Sequence, residues 1–155
     1  MLLIRQPNGA SGSHPFLTCT TRLRGAPAGH ATVSLAGAPD IAAAPPADFG
    51  GPGDAWGPEH LLLAAVETCF LFTLRAVAQA SRIAFSALEL TAVGTVDRQD
   101  GALRFTEIVL RPRVTVAAGT DRERALRVLE KSEKACLVSA SLSTPVRLEP
   151  EVVVG

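Results

Sequence analysis

The chain has 155 residues, which is enough for one domain with a core of its own. Lysine plus arginine equals aspartate plus glutamate at 15 each, so the formal net charge is zero. That balance gives no support for a protein that binds nucleic acid or an anionic membrane, because such a protein would carry a basic excess.

The first part of the chain predicts short strands ahead of a loop rich in Gly and Pro. Residues 1–15 are interpreted as an N-terminal arm, and residues 16–155 as a single domain. PFLTCTTRLRG and HATVSLAG both alternate apolar and polar residues, and a turn-rich segment joins them, which predicts a hairpin. PDIAAAPP predicts an edge strand or a loop, because its prolines cannot donate to a sheet.

A long helix is predicted from Pro58 to about Ser81, since proline suits the first helical turn and Glu59 suits the helix dipole there. The segment is apolar on nearly every side, which predicts a central, buried helix. Its apolar run from Leu61 to Phe72 is interrupted by Glu67 and is too short for a membrane span. The N-terminus also lacks the pattern of a signal peptide, so the expected compartment is the cytoplasm.

The second part of the chain predicts strands, a helix and a closing strand. Residues 85–96 and LRFTEIVLRPRVTVAAG predict antiparallel strands around the turn DRQDG. Thr120 and Glu123 have the spacing of a capping box ahead of an amphipathic helix. LVSASL predicts a helical turn, and PVRLEPEVVV predicts a final strand. This order predicts an α+β fold rather than the alternating order of a Rossmann fold.

The three cysteines differ in their surroundings. Cys19 lies in a predicted strand with no chemically suggestive neighbour, and it is interpreted as a small structural side chain, in keeping with the usual burial of free cysteine. Cys69 lies in the middle of the long helix, and Cys136 lies at the end of the following one. From the pattern alone, this pair is compatible both with core thiols and with thiol redox chemistry.

Metal and hydrolase sites are not expected. His14, His30 and His60 are scattered and do not have the spacing of zinc ligands around a cysteine. There is no GxSxG motif. His60 precedes Cys69 by nine residues on the same predicted helix, which is well over ~10 Å along the axis, so the two cannot pair within one chain.

Three segments resemble the OsmC/Ohr family of thiol-dependent hydroperoxide reductases, named for osmotically induced protein C and organic hydroperoxide resistance protein. They are GGPGDAWGPEHLLLAAVETCFLFTLRAVA, EKACLVSASL and RFTEIVLRPRVTV. The resemblance covers roughly residues 16–153. It implies an OsmC-like fold, with antiparallel sheets packed around a long buried central helix, and an intertwined homodimer whose sites form between chains.

The same resemblance implies a reaction cycle and the residues that perform it. Cys69 matches the peroxidatic cysteine and Cys136 the resolving one. The Cys69 thiolate would attack an organic hydroperoxide, become a sulfenic acid, and then form a disulfide with Cys136. A dithiol reductant, either a dihydrolipoyl protein or a small thiol, would reset the pair. Neither a metal nor an organic cofactor is implied.

The family also uses an arginine and an acid to activate the thiol, in keeping with the general behaviour of reactive cysteines. The resemblance assigns the arginine to Arg24, or else to Arg22, and the acid to Asp48. Aspartate is shorter than the glutamate that is common in the family. The arginines have an alternative interpretation as the solvated end of a hairpin.

Aromatic residues near these positions predict an apolar substrate pocket. Phe49, Trp56 and Phe70, together with Phe72, would favour alkyl or lipid hydroperoxides if they line it. The alternative for each ring is packing in the core.

Glu67 departs from the small residue that is usual in the family. It lies about 200° around the helix from Cys69, so it is expected to face elsewhere, towards an arginine of a partner chain or towards Arg75.

Two other functions stay open from the sequence. One is an OsmC-fold protein without peroxidase activity that binds a small apolar ligand at the dimer cleft. The other is a structural stress protein with buried, inert thiols.

Overall fold

The structure is a computed structural model that describes residues 17–155, and these divide into two compact units. The first unit runs to Leu61, and the second runs from Leu62 to Gly155. The predicted N-terminal arm, residues 1–15, lies outside the described residues.

The first unit contains a three-stranded antiparallel sheet. Its strands are β1 (Arg22–Arg24), β2 (Ala31–Ser34) and β3 (Ile41–Ala43), in that order across the sheet. The predicted hairpin and the predicted edge strand are therefore confirmed. The interpretation of Cys19 as a buried side chain is wrong, because it precedes β1 and is exposed to solvent.

The Gly-rich loop after β3 requires its glycines. A 3₁₀ turn spans Ala47–Phe49, and Gly50 closes it in the left-handed conformation with φ of 76°. A Cβ atom on Gly51 would lie 1.6 Å from the carbonyl oxygen of Pro45, so no other residue fits there. Hydrogen bonds between Trp56 and the end of β3 then fix the exit of the loop.

The long helix α1 spans Pro58–Ala80, within one residue of the prediction. Its buried residues recur every fourth position, as one face of a helix does: Val66, Phe70, Leu74 and Ala78. The other faces of α1 are less covered within the single chain, and Phe72 is 59% exposed. One sheet and one further helix cover only one face.

α1 is long and apolar enough to cross a membrane by length and composition alone, contrary to the expectation from residues 61–72. The helix continues to Ala80, and the expectation counted only its most apolar part. The core helix of a soluble protein passes the same two tests, and the buried face of α1 belongs to the core of the second unit.

The second unit is built on a mixed sheet. β4 (Phe85–Gln99) and β5 (Ala102–Val116) form a long antiparallel hairpin, as predicted. The predicted final strand is two strands, β6 (Val146–Leu148) and β7 (Glu151–Val154), with Pro150 between them. Both pair with β5 in parallel, so the sheet is not purely antiparallel.

Helices α2 (Arg122–Lys134) and α3 (Leu137–Ala140) connect β5 to β6. The capping box predicted at Thr120 is wrong by one residue. Asp121 is the N-cap, and its carboxylate accepts a hydrogen bond from the amide of Arg124 at 3.2 Å. The amide of Thr120 instead donates to Ala117 in the preceding turn.

The core of the second unit lies between β5, α1 and α2. Apolar side chains from these elements and from β7 form one cluster: Val66, Phe70, Leu74, Ala78, Ile108, Leu110, Val114, Val116, Ala125, Val128, Leu129 and Val152. The residues of β5 between the buried ones point to solvent and form ion pairs, such as Arg111 with Glu149 at 2.8 Å. The predicted α+β class is confirmed.

Candidate active site

Cys69 lies halfway along α1, directly before the core residue Phe70. Its side chain is half-buried, so it stands at the margin of the core rather than inside it. A helix fixes the direction of this side chain, because the backbone around it is held by the packing of Val66, Phe70 and Leu74. The side chain is therefore held in place without being fully buried.

Cys136 lies in the short connection between α2 and α3, where it is the N-cap of α3. Its amide donates to the carbonyl oxygen of Glu133, which ends α2 and turns the chain. The side chain of Cys136 has no exposed surface. Packing therefore holds the second thiol in one position.

The fold brings these two cysteines together, as the resemblance implied. The backbone amide of Val138, two residues after Cys136, donates to the sulfur of Cys69 at 3.5 Å. Both cysteines are free thiols. The start of α3 thus carries one thiol and presents its backbone amides to the other.

The surroundings of Cys69 favour its thiolate. Burial is the largest influence and raises the pKa of Cys69, but hydrogen bonds from Cys136, from the Val138 amide, from the Thr73 hydroxyl and from the Leu137 amide outweigh it. The pKa of Cys69 is therefore lowered overall. A thiolate here can act as a nucleophile.

Cys136 shows the opposite behaviour. Burial raises the pKa of the Cys136 thiol, and its neighbour Cys69 raises it further, while Ser139 opposes both. Cys136 therefore stays protonated beside a Cys69 thiolate and donates its S–H to that sulfur. The opposite directions of the two pKa shifts favour the negative charge on Cys69 rather than on Cys136.

Glu67 faces away from this pair, as predicted. Its carboxylate accepts a hydrogen bond from the backbone amide of Ala92 at 2.8 Å, so it occupies the free edge of β4. The predicted contact with Arg75 is not found: the guanidinium of Arg75 lies over the ring of Phe72, 5.3 Å from its centre.

The aromatic residues have different surroundings. Phe70 has no exposed surface and belongs to the core cluster, so its assignment to a substrate pocket is not supported within this chain. Phe49 and Trp56, in the first unit, are each about half exposed. Exposed aromatic rings at these positions are open to contact with a ligand or a partner chain.

The other assigned residues also belong to the first unit. The guanidinium of Arg24 is 3.8 Å from the carboxylate of Asp40, and both side chains are largely exposed. Arg22 and Asp48 are exposed as well. Arg24 is thus one member of a weak surface ion pair in this chain.

Glu59 is a candidate that the sequence prediction did not include. One of its carboxylate oxygens is buried and has no hydrogen-bond partner. Glu59 also lines an apolar cavity of about 380 Å³ in the first unit, together with Leu23, Val33 and Phe49. The signal in the sequence was the pair Pro58–Glu59, which was interpreted only as a helix start.

No group of three or more His, Cys, Asp or Glu side chains within residues 17–155 is arranged to hold a metal ion. His30 instead pairs with Asp54 at 2.7 Å, and this hydrogen bond lowers the pKa of the Asp54 carboxyl. The histidine therefore belongs to a surface pair.

Comparison with known proteins agrees with this geometry. Residues 51–151 match the family model of OsmC-like proteins. YmaD of Bacillus subtilis, an uncharacterized protein, is 30% identical over 112 residues, covering 70% of this chain and 75% of that protein.

Solved structures show the same fold at lower identity. An organic hydroperoxide resistance protein OsmC from Legionella pneumophila is 21% identical, with a TM-score of 0.71 over 90% of this chain and 99% of its own. An OsmC-like protein from Mycoplasma pneumoniae is 17% identical, with a TM-score of 0.75 over 88% of this chain and 98% of its own. The family model covers well over half of the sequence, and the chain therefore belongs to the OsmC-like protein family.

Proposed function

We propose that this protein is a cysteine-based peroxidase that reduces organic hydroperoxides to alcohols as part of an oxidative stress response. The observation that carries the proposal is the environment of Cys69: a half-buried sulfur that accepts a hydrogen bond from the Val138 amide and has a lowered pKa, beside the buried thiol of Cys136. Reactive cysteines have such environments, whereas inert core cysteines are buried among apolar groups. The reading of both thiols as inert is therefore disfavoured.

The first step consumes the peroxide. The Cys69 thiolate attacks the terminal oxygen of the hydroperoxide, an S–O bond forms, and the O–O bond breaks. The departing alkoxide takes up a proton and leaves as the alcohol. Cys69 is oxidised by two electrons to a sulfenic acid, and the peroxide is reduced by the same two electrons.

The second step protects the sulfenic acid from further oxidation. The sulfur of Cys136 attacks the sulfur of Cys69, an S–S bond forms, and the S–O bond breaks. The hydroxyl group leaves as water with the proton from Cys136. An external dithiol, such as a dihydrolipoyl protein, or two molecules of a small thiol then reduce the disulfide and are themselves oxidised to a disulfide. This reductant and a cytoplasmic location are parts of the same proposal.

The backbone amides at the start of α3 support both steps. The Val138 amide stabilises negative charge on the sulfur of Cys69 before the attack. The same segment carries Cys136, so the donor and the resolving thiol are positioned together. Because α3 begins directly after Cys136, any shift of the segment would change both distances at once.

A homodimer is part of the proposal. α1 exposes Phe72 on the side that the core does not cover, and a second copy of the chain would bury it. Glu59 precedes Cys69 by ten positions on one helix, which is about 15 Å along the axis, so Glu59 cannot reach the thiol of its own chain. We propose that a partner chain supplies the activating groups, with Arg24 or Arg22 as the cation and Asp48 or Glu59 as the acid.

Stopped-flow oxidation of the reduced protein tests the peroxidase. The Cys19→Ser variant serves as the reference, because Cys19 is exposed and would react nonspecifically. Oxidation by t-butyl hydroperoxide at least 100-fold faster than that of a free thiol, abolished by Cys69→Ser and retained in Cys136→Ser, is expected. A rate equal to that of a free thiol would contradict the proposal.

The proposed activating groups are tested by substitutions made in the same Cys19→Ser protein. Arg24→Gln, Arg22→Gln, Asp48→Asn and Glu59→Gln are compared for the rate of the first step. The variant that lowers this rate by about tenfold or more identifies the group, since a charge-assisted hydrogen bond contributes about 1.5–3 kcal/mol. If none of the four changes the rate, the assignment of an activating arginine and acid is wrong.

The second candidate is an OsmC-fold protein that binds a small apolar ligand without peroxidase activity. The cavity of about 380 Å³ beside Phe49, with the unpaired carboxylate oxygen of Glu59, favours it. Fluorescence titration with N-phenyl-1-naphthylamine, an apolar probe with one N–H donor, would give saturable binding that Val33→Glu abolishes and Phe72→Ala does not. Binding without any peroxide reaction would favour this candidate over the first.

A further inference from the structure

Ser139 has an unusual hydroxyl group. The residue is 8% exposed, and its buried oxygen has no hydrogen-bond partner. Two nearby serines show the ordinary arrangement: Ser132 donates to the carbonyl oxygen of Val128 at 2.6 Å, and Ser141 donates to that of Leu137 at 2.8 Å. A buried hydroxyl without a partner destabilises the fold, so its position calls for an explanation other than packing.

A chemical group that would explain it is the thiol of Cys136. Cys136 is the N-cap of α3, and Ser139 is the third residue of that helix. The side chain of an N-cap residue faces the amide of the third helical residue. In the reduced structure Cys136 makes no such capping hydrogen bond. The side chain and the backbone of Ser139 both lower the pKa of Cys136, in keeping with this placement of Ser139 next to the N-cap.

We propose that the hydroxyl of Ser139 donates a hydrogen bond to the sulfur of Cys136 as that sulfur becomes negative during its attack on the Cys69 sulfenic acid. This rests on the proposed function and adds a residue to its second step. The hydroxyl is unpaired while Cys136 is a neutral thiol, which is a poor acceptor, and it is paired once the thiolate forms. A donor that binds only the charged state lowers the barrier instead of stabilising the reduced protein.

The charge on Cys69 determines at which stage of the reaction the Ser139 hydroxyl can act on Cys136. Among the described residues, the titratable group that acts on Cys136 is Cys69, and its thiolate opposes a second negative charge. Oxidation of Cys69 to a sulfenic acid removes that charge. Burial then still disfavours the Cys136 thiolate, and Ser139 is left as the group that favours it. The proton of Cys136 leaves with the sulfenic hydroxyl as water, so the step needs no further reactant.

Two measurements on Ser139→Ala test the inference, in the Cys19→Ser background. In single-turnover oxidation by t-butyl hydroperoxide, loss of the sulfenic acid to the disulfide should slow about tenfold or more, as expected for a lost hydrogen bond to a charged group. The rate of the preceding reaction of Cys69 with peroxide should change by less than about twofold in the same variant. Ser141→Ala, whose hydroxyl binds a backbone carbonyl of the same segment, should change neither step.

The second measurement does not depend on peroxidase activity. In Cys19→Ser/Cys69→Ser protein, Cys136 is the one remaining cysteine. Its thiolate absorbance at 240 nm is followed against pH, with and without Ser139→Ala and with Ser139→Thr as the variant that retains a hydroxyl. The alanine variant should titrate at a higher pH, and the threonine variant should restore the original curve.

The outcomes separate the inference from the proposed function. A protein that does not react with peroxide overturns the proposed function, and the titration then decides the role of Ser139 alone. Equal titration curves for serine and alanine at position 139 overturn the inference, as does equal slowing of both oxidation steps. If Ser139→Ala does not fold, failure of the folded threonine variant to match the original titration curve would also overturn it.

Discussion

The amide of Val138 donates to the sulfur of Cys69 across 3.5 Å, although the two residues are 69 positions apart in the chain. This contact ties the middle of the core helix α1 to the start of α3. It also places Cys136, which precedes Val138 by two residues, beside the same sulfur. One short segment therefore places both a hydrogen-bond donor and a second thiol beside Cys69.

The first prediction concerns the pH dependence of Cys69. The pKa of Cys69 is lowered in the folded chain, so folding favours the thiolate. The stability gained in this way is present above the ordinary pKa of a thiol and is lost as pH falls through the lowered value. Alkylation of Cys69 by iodoacetamide, followed by mass spectrometry in Cys19→Ser protein, should be half-maximal below the value of about 8.5 for a free cysteine. A midpoint at or above that value would contradict the assignment.

The second prediction separates the donors around Cys69. The hydrogen bond from Cys136 is the largest of the influences that lower the pKa of Cys69. Replacing Cys136 by alanine removes that donor, so the midpoint of the alkylation profile should move to higher pH. Cys136→Ser retains a donor and should move it less. Identical profiles for alanine and serine would show that the side chain at position 136 does not act on Cys69.

The third prediction compares two phenylalanines of α1. Phe70 is fully buried in the core, whereas Phe72 is 59% exposed. Phe70→Ala should lower the free energy of unfolding by about 3–5 kcal/mol, as large-to-small changes in a core do. At a protein concentration where the chain is monomeric, Phe72→Ala should change it by less than about 0.5 kcal/mol. Urea denaturation followed by circular dichroism measures both values, and a similar loss for the two variants would contradict this packing.

Phe72 also provides a test of the proposed homodimer. Light scattering of the native protein should give a mass about twice the 16.2 kDa of one chain. Phe72→Glu places a charge on the exposed face of α1 and should shift the mass towards one chain. A native protein of one chain's mass at micromolar concentration would exclude the dimer.

The fourth prediction concerns the start of α2. Asp121→Ala removes the carboxylate that accepts from the Arg124 amide, and it should cost about 1 kcal/mol, as the loss of an N-cap does. Thr120→Ala is the matched control and should cost less, because Thr120 is not the N-cap. Thermal unfolding of the two variants compares them. A larger loss of stability for Thr120→Ala would indicate that Thr120 is the N-cap, as the sequence pattern predicted.

The fold was predictable where the sequence pattern reports burial or turns directly. Proline and apolar residues located α1 from Pro58 onwards, and alternation located β4 and β5. The pattern could not distinguish a helix covered on all sides from one covered on a single face. That difference depends on how many elements pack around α1, which is a property of the whole fold.

The site was predictable only in part. The resemblance paired Cys69 with Cys136, but it gave no sign of the backbone amide of Val138, which donates to the sulfur of Cys69. Every residue except proline has an amide, so the sequence carries no signal for that donor. The same holds for Glu59, whose buried oxygen is apparent only once the surrounding cavity is formed.

The most direct test of the account is to map the disulfide after one equivalent of t-butyl hydroperoxide. Reduced protein is oxidised, digested without reductant and analysed by mass spectrometry. A peptide pair joined through Cys69 and Cys136 is expected, with Cys19 still free. A disulfide through Cys19, a cross-link between two copies of Cys69, or oxidation of Cys69 to the sulfinic acid while Cys136 stays a thiol would contradict it.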